Sequence, residues 1–189
     1  SRVFNPAFIY RIVRWIMAEP GPPRNVLPFV GFLTSPEADV SAVVERVSSA
    51  LFALDEPAGP FPFGYTGYYE PEMGAGLKRY WALGTAFVEP DELVELKLKA
   101  NELEGEFAAG GRRRINIDPG YISENAVVAA TYKALPAAVY LARGVYGYLL
   151  FLYRSGTFEP VEWTYPDYRD YVGFFNAGRK ALLSLVRTG

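Results

Sequence analysis

The stretch EPDELVELKLKANELEGEFAAGGRRRINIDPGY, residues 89–121, changes its hydrophobic period part-way along, and that change decides the fold class. Glu89-Pro90-Asp91-Glu92 places acids in the first turn of a helix, where the dipole favours negative charge. Leu93, Leu96, Ala100, Leu103 and Phe107 follow at helical spacing and form one apolar face. Gly110-Gly111 ends the helix. From Arg113 to Asp118 the pattern fits a strand. Arg112, Arg114, Asn116 and Asp118 then share one face, while Arg113, Ile115 and Ile117 share the other. Pro119-Gly120 is common turn chemistry and is expected to break that strand.

Working outward, Val26–Leu33 reads as a buried strand and Asp39–Leu54 as a helix with Val40, Val43, Val44, Val47, Leu51 and Leu54 inward. Residues 57–78 are rich in Gly, Pro and Tyr and read as a long loop or irregular strand. Arg79–Val88 reads as a strand, as does Ala126–Lys133. Val139–Tyr153 reads as one long strand or a bent pair. Ser155-Gly156 marks a hairpin turn, Phe158–Trp163 is its return, and Pro160 puts that return at an edge. Asp170–Val186 closes the chain as an amphipathic helix. The order strand, helix, strand, strand, helix, strand predicts an α+β fold. It has a ferredoxin-like βαββαβ core in a mixed or antiparallel sheet, extended by a hairpin and a C-terminal helix. Residues 25–189 are expected to form this single domain. Residues 1–24 are expected to form an N-terminal helical arm and a Pro-rich linker. Asn5-Pro6 opens the arm, Phe8, Ile9, Ile12, Val13 and Ile16 line one face, and Pro20-Gly21-Pro22-Pro23 ends it. That arm is expected to pack on the domain or on a second subunit, which would give a homo-oligomer, and the alternative is a membrane-surface helix, suited by its basic residues and Trp15.

The chain of 189 residues contains no His and no Cys. This excludes Ser-His and Cys-His nucleophile pairs and the ligands that dominate zinc, copper, haem and iron–sulfur centres. Disulfides are excluded too, which is compatible with a cytoplasmic setting. With 50% hydrophobic and 16% aromatic residues, the composition is that of a folded domain. A formal net charge of −2 argues against general nucleic-acid binding. No apolar run reaches the ~20 residues of a transmembrane helix. There is no G-x-x-x-x-G-K-[ST] phosphate loop, no complete G-x-G-x-x-G, no G-x-S-x-G elbow and no EF-hand loop.

Candidate site residues fall in four places. The loop Phe61–Gly74 carries Tyr69, Glu70 and Glu72, and its carboxylates suit a hard cation or acid–base work. The plain alternative is an aromatic loop covering the sheet, with solvated acids. The strand face offers Arg114, Asn116 and Asp118 with Tyr121 beyond, suited to a carboxylate or phosphate. Here the alternative is a solvated sheet face ending in a turn. Lys97, Asn101 and Glu104 make one helical stripe, a spacing equally expected of an ordinary solvated face. Glu162–Tyr168 brings Trp163, Tyr165 and Asp167, rings and acids able to wall a pocket for a planar or sugar-like ligand. A hydrophobic lid is the competing reading.

On these segments the chain resembles the prokaryotic family known as domain of unknown function 4416. The resemblance rests on Phe61-Pro62-Phe63, Tyr68-Tyr69-Glu70, Glu72-Met73-Gly74, Asn116–Tyr121 and Glu162–Tyr168, with the Lys97 stripe and Gly144-Val145-Tyr146 matching in spacing. It covers Val26 to the closing helix and leaves the arm outside. Some members carry a GTP-binding label, to which this sequence adds no motif. The family pattern places acids where Gly64 and Gly67 stand and a polar, often His-containing stretch at Pro136-Ala137-Ala138. It also places an acid at Tyr148 and polar residues at Leu150 and Leu152. The resemblance therefore implies a member that has lost part of the family's site, with an apolar strand turned toward a partner.

Two functions are carried forward. The first is a non-catalytic domain binding a small anionic, sugar-like or nucleotide-like ligand or a protein partner, with no cofactor. The alternative is a magnesium-dependent hydrolase or phosphoryl-transfer enzyme. There Glu70, Glu72, Asp118 and Asp167 hold metal or move protons, and Arg114 with Lys97 holds an anion. The alternative requires carboxylates from at least two of these segments to converge.

Overall fold

Leu27–Thr34 (β1) is buried along its whole length, as a strand must be when helices cover both faces of its sheet. In the computed structural model, which describes residues 19–188, β1 is an interior strand of an eight-stranded sheet. The other strands are Ala58–Pro62 (β2), Lys78–Leu83 (β3), Ile115–Ile122 (β4), Ala126–Thr131 (β5), Ala138–Ala142 (β6), Val145–Arg154 (β7) and Thr157–Pro160 (β8). Their order is β2-β3-β1-β4-β5-β7-β6, with β8 also on β7, and every pairing is antiparallel. The α+β class and the antiparallel sheet agree with the sequence reading. The helical arm expected between Asn5 and Ile16 lies outside the described residues.

Five α-helices are described: Val40–Ala50 (α1), Glu70–Met73 (α2), Leu93–Glu106 (α3), Pro166–Arg169 (α4) and Val172–Thr188 (α5). Asp39 caps α1, its carboxylate accepting the Ala42 N–H at 3.1 Å. A 3₁₀ turn, Pro90–Glu92, leads into α3, and the Glu89 N–H donates to the Glu92 carboxylate at 2.8 Å. Val30, Phe32, Ile115 and Ile117 pack with Val43 and Val47 of α1 and Ala100 and Leu103 of α3. Leu27, Phe29 and Trp81 pack with Phe175 and Leu182 of α5 on the opposite face. The two-residue period of the strands thus feeds two cores. Among the described residues no helix is long and apolar enough to cross a membrane.

Two expectations are corrected and one pair of alternatives is decided. Pro119-Gly120 does not break β4, which runs on to Ile122. Gly120 is needed there because a Cβ would lie 2.4 Å from the Phe29 ring. Of the two readings of residues 139–153, the paired one is observed and the single long strand is not. Arg143-Gly144 turns the chain, with φ of 51° and 80°, making a hairpin that an Arg in the left-handed region concealed. Finally, the apolar part of β7 does not face outward: Tyr148, Leu150 and Phe151 are buried in the chain's own core.

Candidate functional site

The site originates in a fork between two strands. β1 pairs with β4 from Ile115 to Ile122, but β5 joins β4 only at Gly120, Tyr121 and Ile122. Upstream of Gly120, the far edge of β4 meets α3 instead of a strand. The Ile117 N–H donates to Glu104 Oε1 at 2.6 Å, and the Ile117 carbonyl accepts from Lys97 Nζ at 3.0 Å. Two charged side chains thus replace the missing ladder partner, since a buried main-chain group left unpaired is costly. Pro119 sits two residues on and points the same way, so its lack of an N–H removes no bond to β1.

The fork encloses a cavity of about 420 Å³. At its base Arg79 of β3 is 2% exposed. Its Nη2 donates to Asp167 Oδ2 at 2.5 Å, and its Nη1 lies 3.5 Å from Asp118 Oδ2. The guanidinium carbon is 5.3, 5.1 and 5.9 Å from the ring centres of Phe63, Trp81 and Tyr168. Burial opposes the Arg79 charge, but Asp167 and Asp118 outweigh it and raise its pKa. For Asp167 burial wins over Arg79, and its pKa is raised from the usual carboxylate value. Arg79 Nε and Nη1 have no hydrogen-bond partner among the described residues.

A second relay runs along the wall. Asp118 accepts from Asn116 Nδ2 at 2.7 Å and lies 3.7 Å from Lys97 Nζ. Arg113 Nη1 donates to Asn116 Oδ1 at 2.9 Å and to Glu104 Oε2 at 3.0 Å, and Nη2 donates to Glu72 at 2.8 Å. Burial raises the Glu104 pKa in spite of Lys97 and Arg113. Tyr69 and Tyr165 from opposite sides complete the wall, their phenol pKa values raised chiefly by burial. At the rim Tyr65 donates to Asp170, which pushes its pKa up to about 12. Lys133 reaches over the Tyr68 ring, 4.2 Å from its centre.

Of the residues singled out from the sequence, Tyr69, Lys97, Asn101, Asn116, Asp118, Tyr165 and Asp167 line this cavity. Glu70, Glu72, Arg114, Tyr121 and Trp163 do not. Glu70 is exposed on α2, and Glu72 grips Arg113 from outside. The strand alternation starts only at Ile115, so Arg113 and not Arg114 turns into the network. Tyr121 shares parity with Ile117 and lies with the Leu93 and Val145 cluster, across the sheet from Asp118. Trp163 fills a gap at the edge of β7 between the pairings of β6 and β8. Its indole donates to the Leu149 carbonyl at 2.8 Å, and its own carbonyl accepts from Tyr148. Sequence reasoning missed Arg79, Arg113, Tyr132 and Lys133. For Arg79 a signal exists: it stands two residues before Trp81 and therefore shares the face of a buried ring.

The family model described as Domain of unknown function (DUF4416) matches residues 24–181. The chain belongs to that family. The match spans every strand of the sheet and all of the fork, so the DUF4416 region carries the whole cavity. No curated protein and no solved structure matches the chain.

Proposed function

We propose that the fork cavity binds one small ligand, an anionic molecule with a planar or sugar-like ring, without acting on it chemically. The observation that carries this reading is Arg79, buried at the base of the cavity with Nε lacking an acceptor and Nη1 facing Asp118 only at ion-pair distance, 3.5 Å. Tyr69 and Tyr168 add phenol hydroxyls to the wall, each able to donate to a bound anion. Rings around them supply flat contact area. A thermal-shift screen with inorganic phosphate, sugar phosphates, nucleotides and aromatic acids tests it. A cavity ligand is expected to raise Tm by several degrees at saturating concentration. No shift with any of them would sink the reading and favour a protein partner.

The hydrolase alternative draws on one observation: Asp118 and Asp167, from two separate segments, converge on Arg79. Both are engaged with that cation, and among the described residues no three acidic side chains are grouped to hold a metal. Stabilisation by Mg²⁺ alone in the same screen would favour it. We also read β1 to β4 with α1 and α3 as a ferredoxin-like unit enlarged by four strands. The order β2-β3-β1-β4, all antiparallel, supports this.

A further inference from the structure

The outer N–H and C=O groups of an edge strand are a template for pairing with another chain, so a sheet has to guard each edge it leaves open. This molecule does so repeatedly. β2 carries Pro60 and Pro62, which have no N–H to offer. At β8 the Phe158 N–H donates to the Asn176 side chain at 3.0 Å. In the gap on β7 between β6 and β8, the Leu149 and Leu150 carbonyls accept from Trp163 and Thr164. On β4, Glu104 and Lys97 fill the same role. β6 is different. Among the described residues it pairs with β7 alone, and Ala138–Ala142 contains neither a charge nor a proline. Val139 and Tyr140 are 65% and 58% exposed. Successive side chains point to opposite faces, so both faces of the sheet lie open here.

A strand that fits this edge is itself uncharged and has small residues where β6 has large ones. β6 run in reverse is such a strand. A bulge at Leu141 breaks the register with β7, so the regular backbone centres on Val139. A two-fold axis through Val139 sets that residue against its own copy, Ala138 against Tyr140 and Ala137 against Leu141. Each of the larger side chains on either side of the axis then faces an alanine. The nearest charge, Arg143, is held by Glu95 at 2.7 Å and falls opposite Leu135, so no like charges meet across the axis. We propose that β6 is an interface with a second copy of this chain, the two edges pairing antiparallel about Val139 into one continuous sheet. The seam is short and sits at the low end of specific interfaces, so a dissociation constant on the order of 10 µM is expected.

Sedimentation of the full chain across roughly 1–200 µM, a range that brackets this constant, is expected to show monomer passing into dimer. Val139→Lys sets two ammonium groups face to face and is expected to weaken the dimer at least ~tenfold. Because Val139 is exposed in the single chain, the thermal midpoint of the dilute monomer should not move. Ile12→Glu, in the expected N-terminal arm, should leave the dimer intact. The chain has no Cys, so Val139→Cys gives a second, independent readout. Facing Cα atoms of an antiparallel pair lie ~4.5–5.5 Å apart, within disulfide reach. Mild oxidation should therefore link two copies of Val139→Cys much faster than two copies of Glu45→Cys, a variant at an exposed position of α1. A monomer at every concentration, a dimer that Val139→Lys leaves intact, a dimer that only Ile12→Glu dissolves, or cross-linking of Val139→Cys no faster than that of Glu45→Cys would overturn the pairing.

Discussion

From Gly120 to Ile122, β4 lies between two backbones; from Ile115 to Asp118 it lies between β1 and the side chains of α3. The first stretch is closed so tightly that a Cβ on Gly120 would meet the Phe29 ring at 2.4 Å and the Val128 carbonyl at 2.5 Å. The second is open by a cavity, and its main chain is satisfied by Glu104 and Lys97. Once those charges are buried they need partners of their own, which brings in Arg113, Asp118 and, through Asp118, Arg79 and Asp167. A polar cavity thus follows from one strand pairing that stops short.

The comparison breaks most visibly at Arg79. Arg79→Met leaves Asp167 buried without its cation and is expected to cost about 3–5 kcal/mol in denaturant unfolding. A loss under ~1 kcal/mol would mean that the fork is wet and that its charges behave as surface charges. At the closed end, Gly120→Ala is expected to cost about 1–3 kcal/mol through overpacking against Phe29, with little change in cavity binding. Back at the fork, Glu104→Ala orphans the Ile117 N–H and is expected to cost roughly 1–3 kcal/mol. Hydrogen exchange at Ile117 should accelerate while Tyr121, held within the ladder, keeps its protection; acceleration at both would show that the two ends open together.

The fork also has a signature in alkali. Burial first, with the Asp118 charge adding to it, raises the phenol pKa values of Tyr69, Tyr165 and Tyr168 above 10.0. The unfolded chain releases those protons first. Stability is therefore intact below pH 10 and falls as pH rises past it. Phenolate absorbance and unfolding midpoints, followed together, should show these tyrosines ionising with the loss of structure; free titration in a folded chain would contradict the buried wall. The smallest effect belongs to a surface pair used as a reference. Arg46 donates to both Glu106 oxygens at 2.9 Å, as directly as Arg79 meets Asp167, but with 45% and 46% of the two side chains exposed. Arg46→Ala is expected to cost under about 1 kcal/mol, diminishing further in high salt.

Much of the site was legible as segments and little of it as contacts. Asn116 and Asp118 were readable as a polar strand face, and Asp167 as an acid among rings. Lys97 and Glu104 were readable as a helical stripe, but a stripe of charges is normally solvated, and nothing local says that this one faces an unpaired strand edge. Arg113 and Arg114 differ by one residue, and the choice between them turned on where alternation begins, at Ile115. Trp163 and Tyr148 had the composition of a pocket wall. Their mutual bond at the edge of β7 instead makes Trp163 a plug for the sheet.

By itself, the sequence determined what local periodicity can carry. That includes helix α3 and its acid-rich start, the α+β class, the Ser155-Gly156 hairpin, and the absence of imidazole and thiol chemistry. These depend on residues a few positions apart, where side-chain direction repeats with a known period. The tertiary structure alone decided that β5 leaves β4 at Gly120, that α3 turns its charged stripe into the gap, and that Arg79 meets Asp167 across 88 positions. Those outcomes rest on pairing lengths and on burial, which are properties of the packed chain and of no single segment.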